Sequence, residues 1–429
     1  MALSSATSLS TSQQSQGLDV AALRKQFPIF DRDAPGGAPG RRLVYLDSAS
    51  SSQKPRAVID AMSSYYETTH ANVHRGVYAI AAESTRLFEE SRAKVARFIG
   101  APSPNGIVFT KNVTEAINLV AQSWGRVNLQ AGDAVLLTEM EHHANLVPWL
   151  MLAERQGIEL RYLPVADDHT LDLSDLDRLV DGVKLVSVTA ISNVMGTLTP
   201  LPRLAEAAHA HGALFLVDAA QLVPHMTCDV QALGSDFFGF TGHKMLGPTG
   251  IGVLWAREEL LEAMPAFLGG GEMIRDVRLD GWTPNDVPWK FEAGTPPIAE
   301  AVGLGAAIDE LETVGRDAIR AHEIELTAYA LRTLTERLGD HLTIHGPAEP
   351  DQRGGVLSMV LRGVHAHDVS QVLDEHGVCV RAGHHCAKPL MRRLGETATA
   401  RASFYLYNDR DDVDALADAL EATRDFFAG

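Results

Sequence analysis

The sequence predicts an α/β fold, with a large domain on a mostly parallel sheet and a smaller C-terminal α/β domain. Three observations predict it. From about Leu43, short β-branched runs alternate with amphipathic stretches, as repeated strand–helix units require. Each of those runs ends in polar residues, which is where the ligand loops of open α/β sheets lie. Beyond a long helical stretch from about Ile298 to Leu338, strand and helix signals alternate again on a smaller scale. The expected division is a tail at 1–17, a large domain at 18–310 and a small domain at 311–429. An N-terminal segment of the large domain is free to pack on the small one.

The tail, "MALSSATSLSTSQQSQG", is rich in Ser, Thr and Gln and lacks both a basic start and an apolar core. It reads as disordered and not as a secretory signal. The candidate strands of the large domain are "IVFT" (107–110), "AVLLTE" (134–139), "KLVSVTAIS" (184–192), "ALFLVD" (213–218), "DFFGFT" (236–241) and "GIGVLW" (250–255). Helix-like segments such as "NLVPWLMLAERQG" and "LPRLAEAAHAHG" lie between them, and a Gly-rich loop, "LGGGE" (268–272), precedes "EAGTPPIAE". The small domain reads as "VLSMVLRG", "HDVSQVLDEHG", "VCVRAG", "ARASFYLYN" and a final helix "RDDVDALADALEATRDFFA".

A formal net charge of -18 argues against a nucleic-acid or anionic-membrane partner and for small-molecule chemistry. Three cysteines, Cys228, Cys379 and Cys386, are too few for a disulfide framework, so a reducing compartment, the cytoplasm, is expected. No apolar run reaches membrane-spanning length.

The polar strand ends collect Thr114, His142, Asn193, Asp218, Gln221, His243 and Lys244 into one candidate site. Lys244 is one of eight lysines, and "FTGHKMLGPTG" sets it between an apolar strand and a Gly/Pro turn. A lysine desolvated there has a lowered pKa and can form a Schiff base; a surface loop lysine is the plain alternative. "LFLVDAAQ" ends a strand in Asp218, where a carboxylate can meet the pyridine nitrogen of pyridoxal phosphate and keep it protonated. Gln221 is in reach of the ring hydroxyl. A strand-end Asp also serves as a turn or cap residue, but the pairing with Lys244 favours the cofactor.

Phosphate needs a helix start and hydroxyls. "TKNVTEAINLV" offers Thr114 at such a start, with Thr241 and His243 beside the lysine, although capping alone would also explain Thr114. His142 of "MEHHANLVPW" follows a strand directly and is placed to stack on the ring and to move protons. Adjacent histidines suggest metal, but no Cys or carboxylate completes a zinc spacing, so no metal site is expected.

With these motifs in order, the chain resembles the SufS-type (group II) cysteine desulfurases, in the class V aminotransferase group of fold type I pyridoxal-phosphate enzymes. The resemblance runs from "VYLDSAS" to the C-terminal helix through "NVHRGVY", "TEAINLVAQSWG", "MEHHANLVPW", "ISNVMGT", "DAAQ", "GHKMLGPTGIG", "FEAGTP" and "RAGHHCAKPLM". It implies Lys244 as the Schiff-base lysine, Asp218 and Gln221 as ring partners, His142 as the stacking residue and Thr114, Thr241 and His243 as phosphate ligands. It further implies Arg381 as the clamp on the substrate carboxylate with Asn193 assisting, and Cys386 as the nucleophile. A homodimer is implied, with Arg75 of "HRG" and Thr295 of "EAGTP" acting across its interface. Two positions depart from the family. Val113 of "NVTE" replaces one of two paired threonines and leaves only its amide for phosphate, and Ser50 of "DSASSSQKP" stands where alanine is common.

The implied reaction converts L-cysteine to L-alanine and leaves a persulfide on Cys386, supplying sulfur for iron–sulfur cluster assembly in the SUF pathway. The compact "GHHCAKP" segment resembles members that hand sulfur to a dedicated SufE-like or zinc-containing SufU-like acceptor. His367 of "VHAHDV" falls where SufU-using members can ligate the partner's zinc; an exposed helix-start histidine is the plain alternative. Cys379, in an apolar strand, reads as buried and inert, and Cys228 has no comparable polar company. The competing readings are a selenocysteine lyase or other class V enzyme and, in a different class, a non-catalytic metal- or sulfur-binding scaffold built on "HHC".

Overall fold

In the computed structural model, which describes residues 17–35 and 40–428, the six strand runs of the large domain all enter one seven-stranded sheet. Its strands are β1 (Ile107–Thr110), β2 (Ala134–Thr138), β3 (Glu159–Leu163), β4 (Val183–Thr189), β5 (Leu214–Asp218), β6 (Phe237–Thr241) and β7 (Gly252–Ala256). Their spatial order is 1-7-6-5-4-2-3. Neighbours from β6 to β3 are parallel, and β7 alone runs against β6 and β1. This is the mostly parallel α/β sheet that the alternation predicts. The expected tail at 1–17 lies, except for Gly17, outside the described residues.

β3 is the strand that the sequence reading lacks. "ELRYL" mixes charged residues into a sheet edge where only Leu163 is buried, so it carries no continuous apolar run. The central strands are buried along nearly their whole length, as a sheet covered on both faces demands. Their side chains alternate between two cores. Leu136, Phe215, Val217, Phe238 and Phe240 face one cluster; Val135, Leu137, Leu216 and Phe237 face the other.

The helices used below are α1 (Arg56–Thr68), α2 (Ala79–Phe98), α3 (Val113–Val120), α4 (Val147–Gln156), α5 (Leu201–Ala210), α6 (Ile298–Val314), α7 (Arg316–Leu338), α8 (Ala366–Glu375) and α9 (Arg410–Ala428). α4 and α5 are the two segments read as helical between the strands. The stretch expected to run unbroken from Ile298 to Leu338 is two helices, α6 and α7, divided at Gly315. Gly315 has φ 86°, a left-handed conformation that glycine adopts without the Cβ clash other residues meet. The break lets α6 lie on α1 and α2 while α7 packs on α9.

The second sheet comprises β8 (Leu342–His345), β9 (Val356–Leu361), β10 (Arg381–Gly383) and β11 (Thr399–Ser403), antiparallel in the order 8-9-11-10. "VCVRAG" does not form one strand. Val378–Cys379 pairs in parallel with Val44–Tyr45, and only Arg381–Gly383 joins β11. Val44 and Leu46 share a buried cluster with Leu357, Val378 and Leu416. Arg24 reaches the Tyr407 carbonyl and Asp412, and Arg42 reaches Asp409. Among the described residues no helix is long and apolar enough to cross a membrane.

Candidate active site

The carboxyl ends of β5 and β6 bring Asp218 and Lys244 together. Asp218 ends β5, paired in register with Thr189 and Gly239; Thr241 ends β6, and a 3-10 turn Gly242–Lys244 follows. Asp218 is 3% exposed and accepts a hydrogen bond from the Ala220 amide at 3.1 Å. Burial raises its pKa, and Lys244 opposes the rise. Burial lowers Lys244 to about 8 against the pull of Asp218, with the Arg401 and Arg381 cations adding to the fall. An amine held there is a usable nucleophile and base near neutral pH.

The surrounding groups are fixed from several segments. The Gln221 side-chain amide, buried, donates to the Ala49 carbonyl at 2.8 Å. His142 follows the β2 end; its Nδ1 accepts from the Ala144 amide at 3.0 Å, which leaves the ring proton on Nε2. Burial lowers its pKa to about 3, with Lys244 contributing, so the ring is neutral near neutral pH. His243, half-buried, is lowered to about 4 by burial and by Lys244 and Lys54. Its carbonyl accepts from the Ser52 amide at 3.0 Å and from Lys54 Nζ at 2.9 Å, which anchors the lysine turn to the segment before α1.

The arrangement fits pyridoxal phosphate on an observation independent of motifs. Thr241 Oγ1 is buried beside the lysine turn with no hydrogen-bond partner, the condition of a hydroxyl built to meet a ligand oxygen. Asp218 lies at the same strand ends. The α3 start supplies the helix terminus, but its cap is Asn112, whose side chain accepts from the Glu115 amide at 3.0 Å. Thr114 is therefore not the capping residue; it is an exposed residue of the first turn. Val113, the departure from paired threonines, points into the buried apolar cluster behind the sheet.

The thiol sits on a tight turn between β10 and a short helix. The Ala387 amide donates to the His384 carbonyl at 2.9 Å, and the two central residues, His385 (φ 49°) and Cys386 (φ 55°), are both left-handed. For residues with a Cβ this costs about 1–2 kcal/mol each, and the surroundings hold the turn in place. His385 is 1% exposed, and its Nε2 lies 2.8 Å from Thr399 Oγ1. Asn193 Nδ2 donates to the His385 carbonyl at 2.7 Å, and the His143 amide donates to the Cys386 carbonyl at 2.7 Å. The Cys386 amide donates to His384 Nδ1, and the Lys388 amide to His143 Nε2, each at 3.1 Å.

Arg381 Nη2 lies 3.7 Å from Cys386 Sγ. Arg381 also donates through Nη1 to Ser50 Oγ at 3.1 Å, and, two residues on, the Ser52 amide donates to the His243 carbonyl at 3.0 Å, so Arg381, with Cys386 beside it, and the Lys244 turn meet on the segment Ser50–Ser52. Arg401, 1% exposed on β11, donates to the Asn193 carbonyl at 2.8 Å and pairs with Asp47 at 3.1 Å. Cys379, on a two-residue strand paired with Val44–Tyr45, is half-buried, not buried; burial still pushes its thiol up to about 11. Cys228 is buried and also pushed up to about 11, but it has polar company after all: Arg316 Nη1 is 3.7 Å from its sulfur. Among the described residues no three His, Cys, Asp or Glu side chains group to hold a metal.

Three anticipated residues lie outside this cluster. Arg75 is exposed, with Nε 2.9 Å from Glu272. Thr295 is exposed on a cavity of about 350 Å³ that it shares with Lys111, Glu115, Leu268 and Glu300. His367 is exposed in the first turn of α8, its ring 5.1 Å from that of His365, the capping residue. Sequence reasoning missed Arg401, Asp47, His143 and Lys54 as parts of the site. An arginine inside the small-residue strand "ARAS" was the readable signal for Arg401; the others needed the packing of distant segments.

Residues 44–416 match the Aminotransferase class-V family. The chain is 52% identical over 415 residues to a probable cysteine desulfurase of Streptomyces coelicolor, covering 96% of this chain and 98% of the relative. It superposes on the apo structure of a cysteine desulfurase from Thermococcus onnurineus with a TM-score of 0.88 and 40% identity, over 95% of this chain and 97% of the other. The cysteine desulfurase CsdA of Escherichia coli, in an S-sulfonic acid form, gives a TM-score of 0.86 at 38% identity, over 95% and 99%.

Proposed function

This chain belongs to the class V aminotransferase family and is a pyridoxal-phosphate-dependent cysteine desulfurase, and from that premise we propose that it carries sulfur away from L-cysteine as a persulfide on Cys386. The observation that carries the reading is the position of Cys386 Sγ, 3.7 Å from Arg381 Nη2 in the cleft of Lys244. A clamp for a carboxylate and a thiol for the sulfur of the same small amino acid need that proximity.

When bound, pyridoxal phosphate supplies an electron sink that acidifies the substrate Cα–H. Lys244 would hold it through its amine, and the same amine, when free, would take the Cα proton. Asp218 would pair with the pyridine nitrogen and Gln221 with the ring hydroxyl, while neutral His142 would stack on the ring and relay protons through Nε2. Thr114, Thr241 and His243 would take the phosphate. Arg381 binds the substrate carboxylate, and Asn193 assists by holding the cysteine turn through the His385 carbonyl. The Cys386 thiolate attacks the substrate sulfur. A sulfur–sulfur bond forms, the carbon–sulfur bond breaks, and its electron pair and a proton end on the former Cβ, so one cysteine and one enzyme thiol become one alanine and one persulfide.

A homodimer completes this site, with Arg75 and Thr295 acting across its interface. Exposed apolar side chains support it: Val77, Tyr78 and Ile80 beside Arg75, and Val277, Leu279 and Trp282 on the hairpin Ile274–Arg278/Gly281–Pro284. The protein works in the cytoplasm and feeds iron–sulfur cluster assembly of the SUF type. Its acceptor is a SufU- or SufE-like protein, met at the α8 start, where His367 is accessible for a zinc carried by the partner. We take 18–310 and 311–429 as its two domains.

Incubating the cofactor-loaded protein with L-cysteine and measuring alanine together with persulfide on Cys386 tests the reading. Cys386→Ala is expected to keep the cofactor and lose both products. Full alanine production by that variant would exclude the persulfide route. His367→Ala is expected to lower acceptor-stimulated turnover and spare basal turnover; equal loss of both would remove the acceptor role.

A further inference from the structure

We propose that Ser50, where this chain departs from the usual alanine, is a positioning residue that aims Arg381 at the substrate carboxylate. The inference rests on the clamp role of Arg381 proposed above. Three side chains converge on the Ser50 hydroxyl. It donates to Asp47 Oδ1 at 2.7 Å, and it accepts from Arg401 Nη2 at 2.7 Å and from Arg381 Nη1 at 3.1 Å. A hydroxyl has one proton and two lone pairs, so every hydrogen-bonding position of this oxygen is used.

The geometry makes the hydroxyl a spacer between two cations. The Arg381 and Arg401 guanidinium groups are close enough for Arg381 to depress the pKa of Arg401, against the pull of Asp47. Asp47 pairs with Arg401 alone, so Ser50 is the acceptor that ties Arg381 into the network. The turn beneath is fixed by the Ser50 amide donating to the Asp47 carbonyl at 3.0 Å, which sets where the hydroxyl points. With Nη1 engaged at Ser50, Arg381 presents Nη2 toward Cys386 and the space where a carboxylate must lie. An alanine here leaves two guanidinium N–H groups without an acceptor and two like charges facing each other, and Arg381 is the one free to turn away, because Arg401 stays pinned by Asp47 and the Asn193 carbonyl.

The test compares wild type, Ser50→Ala and Ser50→Thr as cofactor-loaded enzymes. Two readouts are used: steady-state alanine formation from L-cysteine, and binding of L-alanine followed through the absorbance of the bound cofactor. Losing a hydrogen bond to a charged group corresponds to roughly tenfold or more. Ser50→Ala is expected to raise KM for L-cysteine and Kd for L-alanine by about that factor, with kcat within about twofold and a thermal unfolding midpoint lowered by no more than a few degrees. Ser50→Thr, which keeps the hydroxyl, is expected to restore both constants. Unchanged KM and Kd in Ser50→Ala would overturn the proposal, as would a fall in kcat alone or a failure of threonine to rescue. A wild type that binds L-alanine but forms no persulfide would instead refute the desulfuration route, and the L-alanine constants would still decide the role of Ser50.

Discussion

The His143 amide donates to the Cys386 carbonyl at 2.7 Å, which ties the loop after β2 to the turn that bears the thiol. Asn193, after β4, makes the companion bond to His385. The seven-stranded sheet thus holds, through two adjacent carbonyls, a turn that grows from the four-stranded sheet. Placement of the sulfur depends on how the two sheets dock.

Asn193→Ala removes one of those bonds and leaves the buried His385 carbonyl short of a donor, at a cost of about 1–3 kcal/mol. Because both central residues are left-handed, the turn is expected to relax before the fold does. Alanine formation should fall by roughly tenfold or more, while the thermal midpoint drops by only a few degrees. Steady-state kinetics and a thermal melt on the same preparation check this.

Lys244→Ala is expected to abolish covalent retention of the cofactor and to reduce turnover by several orders of magnitude. Borohydride treatment followed by peptide mapping should label Lys244 in the wild type and no residue in the variant. A label on another lysine would reassign the role.

His385 is buried and neutral in the folded protein. Burial, followed by Arg401 and Arg381, lowers its pKa to about 3 from an ordinary value of 6.5. A depressed folded pKa contributes stability that is fully present above pH 6.5 and is lost as pH falls towards 3, because only the unfolded chain takes up the proton in that window. At pH 5 the loss from this ring is on the order of 2 kcal/mol. His385→Asn, which tolerates the left-handed backbone, should flatten the fall. Chemical denaturation of the cofactor-free proteins between pH 7 and 4.5 measures it.

Arg92 and Glu292 form a buried pair, with two bonds at 2.6 and 2.9 Å. Glu292 also accepts from the Phe109 amide at 2.7 Å, which ties the "EAGTP" segment to β1. Arg92→Met leaves a buried carboxylate uncompensated and should destabilise the protein by about 3–5 kcal/mol. Urea titration is the check, and Arg92→Met with Glu292→Gln together should recover part of the loss.

Much of the site was legible because its chemistry coincides with strand ends. Asp218, Thr241 and Lys244 end or follow continuous apolar runs, so their position at the carboxyl ends of the strands could be read from patterning alone. The strand β3 and the division at Gly315 were not legible in the same way. A mostly exposed edge strand has almost no buried face to write into its sequence, and a glycine inside a helical pattern can be tolerated, as Gly303 and Gly305 are in α6, or can break it, as Gly315 does.

The sequence by itself determined the fold class and the family, and it singled out the lysine, aspartate, arginine and cysteine proposed for the site. Those follow from local patterning and from motifs in fixed order. Only the tertiary structure decided that Asp47 and Ser50 meet Arg381 and Arg401, that Asn193 and His143 hold the cysteine turn, and that Thr241 keeps a buried hydroxyl without a partner. These contacts join residues up to 354 positions apart. Their distances are set by the docking of two sheets and the burial of charge between them, which no periodicity along the chain encodes.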